Sequence, residues 1–314
     1  MKTDLRVRII MLLVSFFCTI DVCHAGCDSL SVVFWNVENF FDWKAEGTSD
    51  SEREFSSEGV RRWTRKRFYA KCNGIAKTLL LMSEEYGGIP DIVALAEVEN
   101  RFVLSQLTGA TSLRKLGYSI VHFDSPDHRG IDCALLYRRS RLHLKSASPK
   151  HLYDSCGAVT ATRDILLAEF DSITVMVNHH PSKVGGGGRR RESAMSRMLS
   201  LCDSLEGRRI LCVGDFNEDL WHDAESRGTI KYNGAWEKID GFFSFGPLEV
   251  RENVFDSPFL TIEDRTFGGQ KPRRTYNGLR YQGGISDHYP LYLQLFSGEK
   301  SGQPSGVDPR QAMH

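Results

Sequence analysis

Runs of apolar and β-branched residues bounded by turn residues recur at Ser31–Asn36, Ile92–Ala96, Ile131–Tyr137, Ile165–Phe170, Ile173–Asn178, Ile210–Val213, Ile239–Phe245 and Tyr289–Phe296. They read as strands. Two segments carry apolar residues at helical spacing instead. Arg65–Tyr86 places Phe68, Cys72, Ile75, Ala76, Leu79 and Leu80 on one face, and Arg189–Leu205 does so with Met195, Met198, Leu199 and Cys202. Strands outnumber helices, which predicts a mixed two-sheet α/β sandwich with helices outside rather than a doubly wound sheet. Lys44–Gly59 is polar, acidic and Ser-rich and reads as a long mobile loop.

The chain ends differ from this pattern. Lys2, Arg6 and Arg8 precede a short apolar run from Ile9 to Ile20, and Ala25 followed by Gly26 suits signal-peptidase cleavage. We therefore expect a signal peptide over 1–25, one domain over 26–297 and a disordered tail over 298–314, where Gly, Pro, Ser and charge dominate. Export to the periplasm or the medium follows from the leader. Acylation at Cys27 is a weaker reading, because His24 stands where an aliphatic residue is wanted.

Composition narrows the partners. Lys plus Arg and Asp plus Glu both number 40 in 314 residues, so no net field attracts a polyanion and any nucleic-acid affinity must come from local patches. Basic clusters at Arg61–Arg67, Arg189–Arg191 and Lys271–Arg274 are the candidates, although such clusters are usually solvated faces. The cysteines form no CxxC pair and no zinc spacing, and Cys133 and Cys212 sit inside apolar runs as buried thiols do.

The chemistry concentrates at strand ends. Buried-strand patterns run directly into Asn36-Val37-Glu38, Glu97-Val98-Glu99, Asn178-His179-His180, Gly214-Asp215-Phe216-Asn217 and Asp240, and Ser286-Asp287-His288 precedes the last strand. An apolar residue or a turn would be cheaper at each place. Carboxylates and carboxamides without thiolates suit a hard cation, Mg²⁺ or Mn²⁺, completed by water and substrate phosphate. Phosphodiester hydrolysis needs such a cation, a positioned water and a group that stabilises the leaving oxygen. Glu97, Asp215 and His288 have the side chains for those tasks.

At Trp35-Asn36-Val37-Glu38, Ala96-Glu97-Val98-Glu99-Asn100, Arg129-Gly130-Ile131-Asp132, Asn178-His179, Gly214-Asp215-Phe216-Asn217 and Ser286-Asp287-His288 the chain closely resembles the endonuclease/exonuclease/phosphatase superfamily, over Ser31 to Phe296. The resemblance implies a deoxyribonuclease-like four-layer α/β sandwich and metal-dependent hydrolysis of phosphate esters. It makes Glu97 the principal metal ligand, with Asn36, Glu38 and Asp287 lining the metal and phosphate site. Asp215 would orient or deprotonate the attacking water, Asn217 would contact the phosphate, and His288, oriented by Asp240, would bind the phosphate or assist proton transfer. His179 stands where the nuclease branch has a His that serves the leaving group.

Other chemistries are excluded or disfavoured. Gly185–Gly188 lacks the Lys-Ser/Thr ending of a phosphate-binding loop, and Ser182 lacks the strand-turn-helix elbow of a serine hydrolase. The expectation is a nuclease acting on nucleic acid as a monomer, with no stable protein partner implied. The alternative is a phosphatase or phospholipid phosphodiesterase on the same scaffold, with an inositol phosphate, a sphingomyelin-type lipid or another phosphorylated small molecule as substrate. Selectivity is expected in loops such as Lys44–Gly59 and Glu218–Trp236.

Overall fold

A computed structural model describes residues 29–44, 49–183, 187–220 and 228–298. The expected leader, Cys27 and the tail beyond residue 298 lie outside them, as do parts of the three glycine-rich or polar loops. In chain order the first strands are β1 (Leu30–Phe40), β2 (Ile92–Val98), β3 (Tyr118–His122), β4 (Asp132–Arg138), β5 (Leu144–Lys150), β6 (Ile165–Phe170), β7 (Thr174–His179) and β8 (Ile210–Asp215). A hairpin of β9 (Ile230–Tyr232) and β10 (Ala235–Glu237) leads to β11 (Asp240–Phe245) and β12 (Leu248–Val254). Two more small hairpins, β13 (Thr261–Glu263) with β14 (Gln270–Pro272) and β15 (Tyr276–Asn277) with β16 (Arg280–Tyr281), precede β17 (Leu291–Ser297).

Two mixed sheets result, ordered β12-β17-β1-β2-β4-β3 and β11-β8-β7-β6-β5. Period-two alternation sends the residues of one strand into two cores. Val32 and Phe34 of β1 and Ala94 of β2 meet Ala168, Val175, Val177, Leu211 and Val213 between the sheets. Val33, Trp35, Val93 and Leu95 point outward, against the helices α2 (Arg65–Glu85) and α3 (Arg101–Gly109) through Phe68, Ile75, Leu79 and Leu104. The outer face of the second sheet, with Leu167, Met176 and Cys212, packs on Met195 and Met198 of α4 (Gly188–Asp203). Helix, sheet, sheet and helix make four layers. Burial on both faces explains why the central strands read as unbroken apolar runs.

The structure adds elements that hydropathy did not announce. β3, β5 and β12 are sheet-edge strands or next to the edge in burial, and their half-exposed sequences, such as Leu248-Glu249-Val250-Arg251-Glu252 and Leu144-Lys145-Ser146-Ala147, carry charge rather than apolar runs. Helix α3 is only nine residues long and starts at an Asn100 side-chain cap. Within Lys44–Gly59 the described residues do not form an open loop. A short helix α1 (Asp50–Glu54) begins with a Ser49/Glu52 capping box, and Phe55 behind it is buried, stacked on Phe41 and edge-on to Trp63.

At the site edge, Gly214 is required by close approach. Gly214 lies where β8 runs parallel to β7, opposite Asn178, and a Cβ there would stand 2.4 Å from the Asn178 carbonyl oxygen. Gly214→Ala should therefore destabilise the fold by about 1–3 kcal/mol, the usual cost of overpacking a rigid interior. Urea denaturation would measure it. A wild-type midpoint for that variant would show that the two strands separate freely.

A candidate active site at the strand ends

Each sheet contains one parallel pair, β1 with β2 and β7 with β8, so in each sheet two strands finish at the same edge. Asn36 and Glu97 arrive from the first pair, His179 and Asp215 from the second. The backbone is then bent to aim these groups. Ladder register breaks between Ala96 and Val98, and Glu97 takes a left-handed conformation with φ 63°. Glu38, Asn39 and Asn217 are also left-handed, with φ values of 49°, 49° and 54°. Such conformations cost about 1–3 kcal/mol each and persist where surrounding contacts over-determine them. Here the contacts are hydrogen bonds from Asn39 N to Glu97 Oε2 (2.7 Å), Glu38 N to Asn36 Oδ1 (3.0 Å) and Asn217 N to Asp215 Oδ1 (3.0 Å).

The side chains join across the sheets. Asn36 Nδ2 donates to Asp215 Oδ2 at 3.0 Å, and His179 Nε2 lies 3.7 Å from the same oxygen. His288 Nδ1 is 2.8 Å from Asp240 Oδ2, an oxygen that also accepts from Thr229 Oγ1. Ser286 Oγ receives the His288 N–H and donates to Asn36 O, while Trp35 Nε1 donates to His288 O, so the last motif is pinned to β1. Buried polar atoms without partners are rare in folded proteins. Here Asp240 Oδ1, His179 Nδ1, Asn178 Oδ1 and His180 Nε2 are all of that kind.

Asn36, Glu97, His179, Asp215, Asn217 and His288 line one cavity of about 570 Å³, together with His128, Arg129, Arg163 and Arg190. Its groups are driven apart in protonation. Burial, followed by the charge of Asp240, pushes the Asp215 carboxyl up to about 7. Burial opposes charge on His288, but Asp240 outweighs it through its charge and hydrogen bond, holding the imidazole well above its ordinary pKa. His179 is held well below it by burial and then by Arg163 and Arg129, so it is neutral. Burial works against the Glu97 carboxylate too, yet Arg129, the Asn39 N–H, His288 and Arg163 together keep it ionised.

The donor set fits a hard cation. Glu97 is an ionised carboxylate whose Oε2 takes Asn39 N and Arg129, while its Oε1 accepts no protein hydrogen bond among the described residues. Asp215, Asp240 and His288 form a buried group whose ligand atoms all lie within 4.8 Å of one another. Because His288 Nδ1 and Asp240 Oδ2 already bind each other, that pair acts as an oriented imidazole, and both Asp215 oxygens accept from Asn36 and Asn217, so Glu97 Oε1 is the carboxylate oxygen that remains for a cation.

Residues 31–238 and 223–297 match the model of the Endonuclease/Exonuclease/phosphatase family. The chain belongs to the endonuclease/exonuclease/phosphatase family. Its members are phosphoester hydrolases. No curated protein matches the chain at a significant level by sequence. Solved structures share the fold at low identity. D. rerio TDP2 complexed with a single-strand DNA product is 16% identical with a TM-score of 0.54, over 85% of this chain and 98% of that one. A Bacteroides thetaiotaomicron protein of the same family is 16% identical with a TM-score of 0.52, over 87% and 99%. The human Nocturnin catalytic domain with bound sulfate is 18% identical with a TM-score of 0.51, over 85% and 94%.

Within this family fold, seven of the nine residues expected at the site gather at the main cavity, Asp240 standing directly behind His288. Glu38 and Asp287 stand beside it. Glu38 accepts from Thr275 N at 2.7 Å and from Arg274 at 3.3 Å, and Arg274 also reaches Asp287 at 2.8 Å. Burial, then Asp287, raises the Glu38 carboxyl to about 7. Sequence pattern did not single out Arg163 or Lys71, and it offered Arg274 only as part of the Lys271–Arg274 basic cluster. Arg163 is buried, pairs with Asp127 at 3.1 Å and holds His180 O at 2.8 Å. Lys71 is buried under the Glu38 turn, bound to Glu38 O and to Thr275 Oγ1 at 2.8 Å. Its one signal in the sequence is a lysine on the apolar face of a helix, between Phe68 and Ile75.

The basic clusters divide. Arg190 lines the cavity, whereas Arg191 is tied to Glu218 at 2.9 Å and Arg61 and Arg67 serve local structure, Arg61 pairing with Glu54 and stacking on Phe55. The His288–Asp240 pair makes a pH prediction. If protonated His288 is the active form, activity falls as pH rises through its pKa, and Asp240→Asn, which removes the charge that raises that pKa, should move this basic limb to lower pH. A pH profile of kcat/KM for both proteins checks it, and an unmoved limb would mean that Asp240 does not set the protonation of His288.

Proposed function

We propose that this protein is a divalent-cation-dependent phosphodiesterase that cleaves nucleic acid by water attack on a phosphate seated in the cavity at the strand ends. The observation that carries this reading is the joint presence, in one cavity, of an ionised Glu97, an Asp215 poised near neutrality, a protonated His288 and the cations Arg129, Arg163 and Arg190. Glu97, with Asn36 beside it, would hold Mg²⁺ or Mn²⁺. Bound there, the cation supplies charge neutralisation at the phosphoryl oxygens.

The protein's own groups do the rest. Asp215, with a pKa near 7, takes the proton of the attacking water, and Asn36 and the Asn217 N–H fix both of its oxygens in place. His288 Nε2 donates to a phosphoryl oxygen, because Asp240 occupies Nδ1. Asn217 uses one amide hydrogen on His180 O at 3.0 Å and keeps the other for the phosphate. Neutral His179 can offer a hydrogen bond to the leaving oxygen, which takes its proton from solvent.

Nucleic acid is favoured over a single-phosphate ester because cations flank the centre on several elements, and a strand presents several phosphates in a row. The D. rerio TDP2 complex, on the same fold, holds a single-strand DNA product. The apolar run after Lys2, Arg6 and Arg8 supports an exported enzyme.

Hydrolysis of DNA, RNA, sphingomyelin and inositol polyphosphates by the purified protein tests the reading. EDTA should abolish turnover and Mg²⁺ or Mn²⁺ restore it, and Glu97→Gln and Asp215→Asn should each lower kcat by roughly a hundredfold, about 3 kcal/mol of lost transition-state stabilisation. Full activity without metal, or turnover of lipid or inositol phosphate with none of DNA and RNA, would contradict it.

A further inference from the structure

A second cavity, of about 180 Å³, opens beside the first, lined by Ile230, Tyr232, Ile262, Arg273, Gln282 and Asp287 among others. The two share a wall at Ile230. Ile230 lines both and pairs through its backbone with His288, and Asp287 precedes that histidine in sequence. The walls come from all three small hairpins, which brace one another. Lys231 Nζ reaches Gly268 O at 2.6 Å and Asp264 at 3.3 Å, Lys271 reaches Asp264 at 3.0 Å, and a Cβ at Gly284 would stand 1.8 Å from Arg273 O, so only glycine lets those segments pass.

Of the large apolar side chains that these hairpins leave in water, Tyr232, with 62% of its surface exposed, and Ile262, with 40%, line the groove. Tyr232 lies two residues along β9 from Ile230. The lysines of the groove are committed to Asp264, whereas Arg273 donates its guanidinium to Gln282 O at 3.0 Å and forms no ion pair among the described residues. An exposed ring, a cation and carboxamide edges beside a phosphate site are the elements by which proteins hold single-stranded bases.

We propose that this groove is a base-binding subsite, in which a nucleobase of a single-stranded nucleic acid, next to the scissile phosphate, stacks on Tyr232. Arg273 faces the same base or its neighbouring phosphate, and the amides of Asn277 and Gln282 meet its edge. The inference rests on the nucleic-acid reading of the adjoining centre. A lipid chain fits the groove poorly, because seven of its eleven lining residues are charged or carry an amide.

The test is a cycle of two changes measured on a single-stranded oligonucleotide with one cleavage position, Tyr232→Ala in the protein and removal of one base beside the cleaved phosphate in the substrate. Tyr232→Ala should raise KM roughly five- to a hundredfold on the intact strand, the range for one lost base–aromatic stack, with kcat little changed. Tyr232→Phe should keep the wild-type KM. On the strand lacking the contacted base, Tyr232→Ala should cost at least fivefold less than on the intact strand. An equal loss on both strands for every base removed in turn, or no loss on the intact strand, would overturn the subsite while leaving the nuclease reading in place. Turnover of another phosphoester with no cleavage of nucleic acid would overturn both.

Discussion

The hydrogen bond from Asn36 to Asp215 joins the two sheets at the point where both present their chemistry. Asn36 stands at the last regular pairing of β1 with β2 and Asp215 ends β8 beside β7, so the joint depends on parallel pairing in both sheets, and through it on the helices that cover their outer faces. The core between the sheets sets their separation, because close-packed interiors do not deform freely. A change in that spacing would part Asn36 from Asp215 before it exposed much apolar surface. The left-handed turns at Glu38, Asn39, Glu97 and Asn217 add a second constraint, since they aim side chains that an unbroken ladder would point into one of the cores.

Electrostatics then separates groups that the fold has crowded together. Asp215 and His288 are both buried, and both face Asp240, yet Asp240 raises the carboxyl by repulsion and raises the imidazole by attraction. One fixed carboxylate thus shifts a second carboxyl toward neutrality and helps to keep a neighbouring imidazole protonated. Arg129 and Arg163 help to hold Glu97 ionised and His179 neutral, both of which burial otherwise affects. A substrate phosphate entering this cavity would meet these cations together with the Asp215 and His288 pair. Family membership accounts for the shared frame, while the three small hairpins, β9–β10, β13–β14 and β15–β16, build the groove that would decide which phosphodiester fits.

The sequence made the centre legible where a buried run collides with a polar group. Ile210–Val213 could have ended in a turn, and its continuation into Gly214-Asp215 has a physical reason only once Asn178 is seen 2.4 Å from a hypothetical Cβ at Gly214. Glu97 and His288 were readable in the same way. Arg163 was not, because an arginine before a strand looks like any surface cation, and its pairing with Asp127 and His180 forms only in three dimensions. Lys71 and Arg274 support Glu38 from 33 and 236 residues away. The edge strands were hidden because half-exposed strands need no apolar run, and α1 because a capping box lay in a segment dominated by charge.

The central claim is that a carboxylate held ionised at a broken strand register, Glu97, carries the cation on which the chemistry depends. Titration of Mn²⁺ into the metal-free protein, followed by the loss of the free-ion paramagnetic resonance signal, measures this without any substrate. The account predicts saturable binding in the wild type and a loss of affinity of tenfold or more in Glu97→Gln, about 1.4 kcal/mol or greater. Equal affinity in the two proteins, with the variant folded, would contradict it.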